Sequence, residues 1–301
     1  MKRPNFFIVG APKCGTTALS EYLREHKNVF MCTPKEPHFF ASDLPEIRAA
    51  ETEEEYLRLF EEATTEHLAI GEASVWYLYS SEAIKNIKKF NPDSKIIVML
   101  RNPVDLVYSM YSQHLYSMNE NENDFKIAWD LSNERKKGLN KPKDCRNIKL
   151  IIYAEIAKLG HQVENLMNVF PPEQVKIIFS EDFFANTRSV YKDVLDFLNI
   201  PDDQKDDFPV INQNKHHKIG WIGRFTQRPP EKLVNILLSA KKLIGIERIG
   251  VLSALRKMNK KKQQRTPLSE KLKEQIIFEY SSDIEKLSLL TNRNLNHWLD
   301  M

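Results

Sequence analysis

The chain of 301 residues carries 44 basic and 41 acidic side chains, a net charge of +3, and 42% of its residues are apolar. That length builds one α/β domain with a substantial core more readily than two independent domains, and no stretch approaches the roughly 18 consecutive apolar residues of a membrane span. Three cysteines, Cys14, Cys32 and Cys145, are odd in number and lack a C-x-x-C pair, which argues against a disulfide framework or a zinc site and for a reducing, cytoplasmic setting.

In chain order, Phe6–Val9, Val29–Met31, Leu68–Ile70, Ile96–Leu100 and Val175–Phe179 are short, nearly unbroken apolar runs rich in branched or aromatic residues, the pattern of buried parallel strands. Helical patterns separate them: Thr17–His26, Thr52–Ala63 with a Thr52/Glu55 capping box, Ser81–Phe90, Pro103–Met118, and Tyr153–Phe170, which Pro171-Pro172 stops. Such alternation predicts an α/β fold, a central parallel sheet flanked by helices, over about 1–200. Beyond Ser180 the strands are expected to cease. Val190–Leu198, Lys232–Ile244, Leu268–Tyr280 and Ile284–Leu290 read as helices and Lys260–Gln264 as an exposed linker, so 1–301 is expected to be one domain with a mostly helical extension over about 201–301. Between Lys215 and Arg265 stand 14 Lys or Arg residues against Glu231 and Glu247 alone, so the rest of the chain is net acidic. This segment either attracts a charged nucleotide or acceptor or is a solvated helix face; nucleic acid is disfavoured because no recognised binding module accompanies it.

The most informative segment is Phe6–Ser20, FFIVGAPKCGTTALS. An apolar run ends in Gly10, a turn carries Lys13 and Gly15, and Thr16-Thr17 open an amphipathic helix whose first N–H groups lack intrahelical partners, so an anion is expected there. Gly10 and Gly15 keep the G-x-x-x-x-G spacing of a nucleotide triphosphatase loop, but Thr16 occupies the lysine position and the cation sits earlier, at Lys13. This favours a nucleotide bound without the usual Mg²⁺ arrangement; an ordinary strand-to-helix turn is the bland alternative. A second anion site follows Ile96–Leu100: Arg101, then Asn102-Pro103 as N-cap and first helical position, then Ser109 two turns on, tilted back toward Arg101. Guanidinium plus hydroxyl suits a monophosphate at the carboxyl end of a strand, while Leu106, Val107 and Met110 face the core.

PKCGTTAL and RNPVDLVYSMY resemble the 5′-phosphosulfate loop and the 3′-phosphate motif of sulfotransferases that use 3′-phosphoadenosine 5′-phosphosulfate, a P-loop-type fold. KEPHFF (Lys35–Phe40) and GEASVWYLY (Gly71–Tyr79) resemble segments of the heparan-sulfate-type branch and its bacterial relatives; FSEDFF (Phe179–Phe184), VINQNK and NLNHWL match more loosely. The resemblance implies that Lys13 contacts the 5′-phosphosulfate with Cys14, Gly15, Thr16 and Thr17, that Arg101 and Ser109 hold the 3′-phosphate, and that no metal is needed. It also implies an aromatic ring against adenine, either Trp76 or a phenylalanine, and a closing loop, for which Asn212–Lys218 with Lys215 is the candidate.

Sulfuryl transfer needs a base, stabilised sulfuryl oxygens and a neutralised leaving group, and Lys13 suits the last two tasks. Glu72, expected to emerge at a strand's carboxyl end, is the first candidate base, with a structural glutamate bonded to Lys13 or Arg101 as its alternative. His38 is the second candidate base, and Lys35 and Glu36 are expected to position the acceptor or the loop. His216-His217 lacks a third metal ligand, and Cys14 is either a thiol activated by the helix N-terminus or a small filler. The acceptor, a small molecule, lipid or saccharide, is left open, and a kinase of related fold or a non-catalytic anion-binding module are the competing functions.

Overall fold

A computed structural model of the chain describes residues 2–211 and 266–300 in full and two short strands, Lys215–His217 and Lys260–Lys262, as backbone. The helix expected at Lys232–Ile244, most of the candidate closing loop and the Lys215 side chain lie outside the described residues. Five parallel strands, β1 (Phe6–Gly10), β2 (Val29–Met31), β3 (Ala69–Glu72), β4 (Lys95–Leu100) and β5 (Val175–Phe179), form one sheet in the order β2-β3-β1-β4-β5. β1 lies at the centre with every residue buried, as an unbroken apolar run requires of a strand covered on both faces. After β1 the chain leaves toward β2, whereas after β4 it leaves toward β5. The loops at these two carboxyl ends therefore diverge and open a crevice, the usual ligand site of such sheets.

Two helices begin at that crevice, α1 (Thr16–Arg24) after β1 and α4 (Pro103–Ser117) after β4. Among the described residues the others are α2 (Glu53–Arg58), α3 (Ala83–Phe90), α5 (Phe125–Asp130), α6 (Ser132–Lys136), α7 (Tyr153–Ile156), α8 (Leu159–Met167), α9 (Ser180–Ala185), α10 (Thr187–Leu198) and α11 (Glu270–Thr291). The capping box of α2 is present, but the helix stops at Arg58 instead of reaching Ala63. The pattern over Tyr153–Phe170 divides into α7 and α8, because Asp283 of α11 reaches across to accept from the Gly160 and His161 backbone N–H groups at 2.7 and 2.8 Å and caps a new helix start. Conversely, the two helices expected at Leu268–Tyr280 and Ile284–Leu290 are one, α11. Strands do not cease at Ser180: β6 (Lys215–His217) pairs antiparallel with β7 (Lys260–Lys262), which replaces the expected linker by a strand.

Behind α4 the chain is fastened by a buried ion pair. Arg135 of α6 donates two parallel bonds to Glu120, 2.7 and 2.9 Å, and a third to the Ile151 carbonyl at 3.1 Å; Tyr153 Oη also donates to Glu120. Burial acts to raise the Glu120 carboxyl, but these donors outweigh it and hold the group below its ordinary range. At the far end of the chain, Arg293 lies over the Phe179 ring and pairs with Asp182, and Trp298 donates to Glu181, so the segments FSEDFF and NLNHWL come together.

Candidate functional site

The turn from β1 to α1 is shaped for close approach by a ligand. Gly10 has φ 145°, and a Cβ there would lie 2.7 Å from the Val75 carbonyl oxygen, so only glycine fits. Lys13 is left-handed at φ 65°, a conformation that costs a lysine on the order of 1 kcal/mol and recurs where function holds the backbone. Gly15, at φ 98°, is the N-cap of α1 and no side chain caps it, so the first-turn N–H groups face the crevice with the positive end of the helix dipole. Thr16 is buried and Thr17 half-buried at this turn. Cys14 is fully buried with its thiol directed at the Pro12 carbonyl, and burial pushes that thiol up, overriding Arg101 and Lys13. Of the two readings of Cys14, full burial and a raised thiol favour the small filler over an activated thiol.

Across the crevice, Asn102 caps α4 by accepting from the Val104 N–H at 2.9 Å, with Pro103 in the first helical position, as the sequence predicts. Asp105, Ser109 and Gln113 succeed one another every four residues and so lie on one stripe of the helix. Arg101 pairs with Asp105 at 2.8 Å, and Lys13 Nζ meets Gln113 Oε1 at 3.5 Å. Ser109, buried, lies midway on a stripe that ties one cation to the other. Gln113 was not anticipated, although its spacing from Ser109 is legible in the sequence.

Glu72 stands where the sequence places it, at the carboxyl end of a strand, but more deeply than expected. It ends β3 but is wholly buried, accepting from Tyr56 Oη at 2.9 Å, from Tyr77 Oη at 2.7 Å and from Ser74 Oγ. Burial pushes its carboxyl up to about 7 against the three hydroxyl bonds, the direction expected of a candidate base, while those partners enclose the group completely. The loop Lys35–Phe40 lies over it at the carboxyl edge of β3: Ala73 N–H donates to the Lys35 carbonyl at 3.0 Å, and Lys35 Nζ returns to the Ala73 carbonyl at 3.1 Å. There Glu36, about a third exposed, pairs with Lys35 at 2.7 Å and with His38 Nε2 at 3.3 Å. Burial of Glu36 works upward, yet His38 and Lys35 prevail and hold its carboxyl at about 2. His38 is left-handed at φ 50°, and its Nδ1 is buried without a hydrogen-bond partner. Glu36, expected only to position, is thus the accessible carboxylate of this edge.

Trp76 is buried, with its ring stacked on His114 at 6.2 Å and Tyr79 against its edge. His114 is itself enclosed, and burial drives its imidazole down to about 4. By contrast Phe184 is 61% exposed and stands against the turn, its Cζ 3.2 Å from where a Gly15 side chain would begin. Among the described residues no three His, Cys, Asp or Glu side chains gather to hold a metal ion, and no helix is long and apolar enough to cross a membrane.

Residues 3–218 match the family described as the sulfotransferase domain. The chain is 27% identical over 252 residues to carbohydrate sulfotransferase 15 of Mus musculus, which covers 65% of this chain and 44% of that protein. Over 112 residues it is 37% identical to heparan sulfate glucosamine 3-O-sulfotransferase 6 of Homo sapiens, covering 37% of this chain and 31% of that one. The chain thus spans less than half the length of these curated relatives. The crystal structure of a sulfotransferase from Alicyclobacillus acidocaldarius, 25% identical, superposes with a TM-score of 0.72 and covers both chains fully. With the uncapped β1–α1 turn and the α4 stripe at the same crevice, and with the family match running through both, the chain belongs to the sulfotransferase family.

Proposed function

We propose that this protein transfers a sulfuryl group from 3′-phosphoadenosine 5′-phosphosulfate to a hydroxyl or amine of an acceptor. The observation that carries this reading is the α4 stripe, which joins Arg101 at one end to Lys13 at the other across the uncapped turn of α1. Two separated anion sites, with threonine in place of the triphosphatase lysine, suit a donor charged at both its 5′ and 3′ ends. The donor supplies an activated sulfuryl group on a 5′-phosphate. Lys13 and the first-turn N–H groups of Gly15, Thr16 and Thr17 hold its phosphosulfate, and Arg101 with Ser109 holds its 3′-phosphate. For the guanidinium this means exchanging its exposed bond to Asp105, which is worth little, for a charge-assisted bond to phosphate. Phe184 offers a free aromatic face for adenine, whereas one face of Trp76 is already covered by His114.

In the transfer the acceptor oxygen or nitrogen forms the new bond to sulfur while the sulfur–oxygen bond to the 5′-phosphate breaks, and that phosphate oxygen keeps the electron pair. Lys13 and the turn N–H groups are aimed where this negative charge grows. The acceptor's proton goes to the Glu36–His38 pair. A carboxylate held near 2 is a weak base alone, but Glu36 lies 3.3 Å from the His38 imidazole, a side-chain type suited to accepting a proton in catalysis. A saccharide acceptor follows the named relatives, carbohydrate and heparan sulfate sulfotransferases. Incubation with donor labelled in its sulfuryl group, a panel of saccharide, lipid and small-molecule acceptors, and EDTA tests the reading. Labelled product is expected, lost in Lys13→Ala and reduced at least tenfold in Glu36→Gln and His38→Asn; transfer of phosphate from ATP instead would overturn it.

A further inference from the structure

We infer that Glu72 is a positioning residue that seats the loop carrying Glu36 and His38 by orienting the hydroxyls of Ser74 and Tyr77 toward that loop's backbone. The inference rests on the proposed role of the Glu36–His38 pair. Each hydroxyl has one proton to give, and both give it to Glu72. Their oxygens are then free to accept, and each accepts from the loop: the His38 N–H bonds Ser74 Oγ at 2.9 Å, and the Phe40 N–H bonds Tyr77 Oη at 3.3 Å. The two anchored residues flank Phe39 and fix His38 in its left-handed conformation, with the His38 ring edge-on to Tyr77 at 6.1 Å.

Only an acceptor-only group can organise both hydroxyls in this sense. An amide in place of the carboxylate would donate to one of them and release that hydroxyl's proton into a buried space without an acceptor. Tyr56, brought in by α2, gives the third bond, and the groups facing the carboxylate are Lys35, Tyr56, Tyr77 and Cys32, of which Lys35 is the nearby cation. Burial pushes the carboxyl upward and these donors oppose it, so the arrangement of the two hydroxyls described here is that of the ionised carboxylate.

Glu72→Gln, and Glu72→Gln placed on a Ser74→Ala/Tyr77→Phe background, test the inference. Adenosine 3′,5′-bisphosphate is titrated to count folded sites, and kcat per site and donor KM are measured. The expected result is donor KM and bisphosphate affinity within about twofold of wild type and kcat lowered about tenfold in Glu72→Gln, the size of one or two lost hydrogen bonds. On the double background the further substitution should add almost nothing, because its targets are already gone. Should Glu72→Gln not fold, Ser74→Ala alone carries the test through the same split of kcat from affinity. Equal losses of kcat with and without the two hydroxyls would overturn the inference in favour of direct proton transfer, and unchanged kcat per folded site would overturn it in favour of a purely structural carboxylate. Absence of bisphosphate binding by the wild type would instead remove the reading beneath it.

Discussion

Arg135→Ala should destabilise this protein more than any surface charge change, and its pH dependence should identify the cause. The guanidinium and the Glu120 carboxylate are almost completely buried, paired through both Glu120 oxygens, with Tyr153 and two backbone N–H groups completing the shell of Glu120. Removing the cation leaves a buried carboxylate uncompensated, a loss of about 3–5 kcal/mol, which for a chain of this size lowers the thermal midpoint by roughly 6–10 °C. In the wild type the Glu120 carboxyl is depressed on folding. Its contribution is therefore complete above the ordinary glutamate range and is lost as pH falls through the lowered native value. In Arg135→Ala burial acts unopposed by the guanidinium and raises the group, so the variant regains stability as pH falls from 7 toward 4.5 and the deficit narrows. Glu120→Leu/Arg135→Met should restore most of the midpoint. Thermal unfolding followed by circular dichroism at pH 7 and 4.5 reads all of this. A deficit below about 1 kcal/mol, or one that does not narrow with acid, would refute the reasoning.

Phe184→Ala should weaken adenosine 3′,5′-bisphosphate by roughly 5- to 150-fold, the range for one base–aromatic stack, and leave ribose 3,5-bisphosphate, which has no base, unchanged in a calorimetric titration. Equal losses for both ligands would place the ring's effect on the phosphate turn. Cys14, buried against Pro12, should react with iodoacetamide only at the rate of global unfolding, and mass spectrometry after native labelling checks this. Rapid labelling that bisphosphate suppresses would show the turn to be open.

The parallel sheet was legible because each strand is an apolar run bounded by turn residues, and the α4 start because Asn102-Pro103 is a local signal that tertiary contacts had no reason to override. Helix limits that depend on distant partners were not legible. Asp283 divides the Tyr153–Phe170 pattern from more than a hundred residues away, and a periodicity reading has no access to it. Lys260–Lys262 is strand only because it meets Lys215–His217, a pairing that a lysine run does not announce. At the site, Lys13, Arg101 and Ser109 could be named from motif and spacing, but the fate of two carboxylates could not. Glu72 and Glu36 both lie in segments with aromatic neighbours; Tyr56 from α2 joins the nearby Ser74 and Tyr77 in enclosing the first, and the second stays about a third exposed. Burial of a polar group is set by what the fold brings to it, and the sequence around Glu72 does not show Tyr56 arriving from α2.

The two-ended anion clamp is the centre of this account, and calorimetric titration of adenosine 3′,5′-bisphosphate in EDTA tests it most directly. Binding without metal is predicted, weakened on the order of 10- to 150-fold in Arg101→Ala and in Lys13→Ala alike, the range for a lost charge-assisted hydrogen bond. Ribose-5-phosphate should lose its dependence on Arg101 while keeping that on Lys13. No binding, binding that requires Mg²⁺, or affinity indifferent to both substitutions would contradict the account.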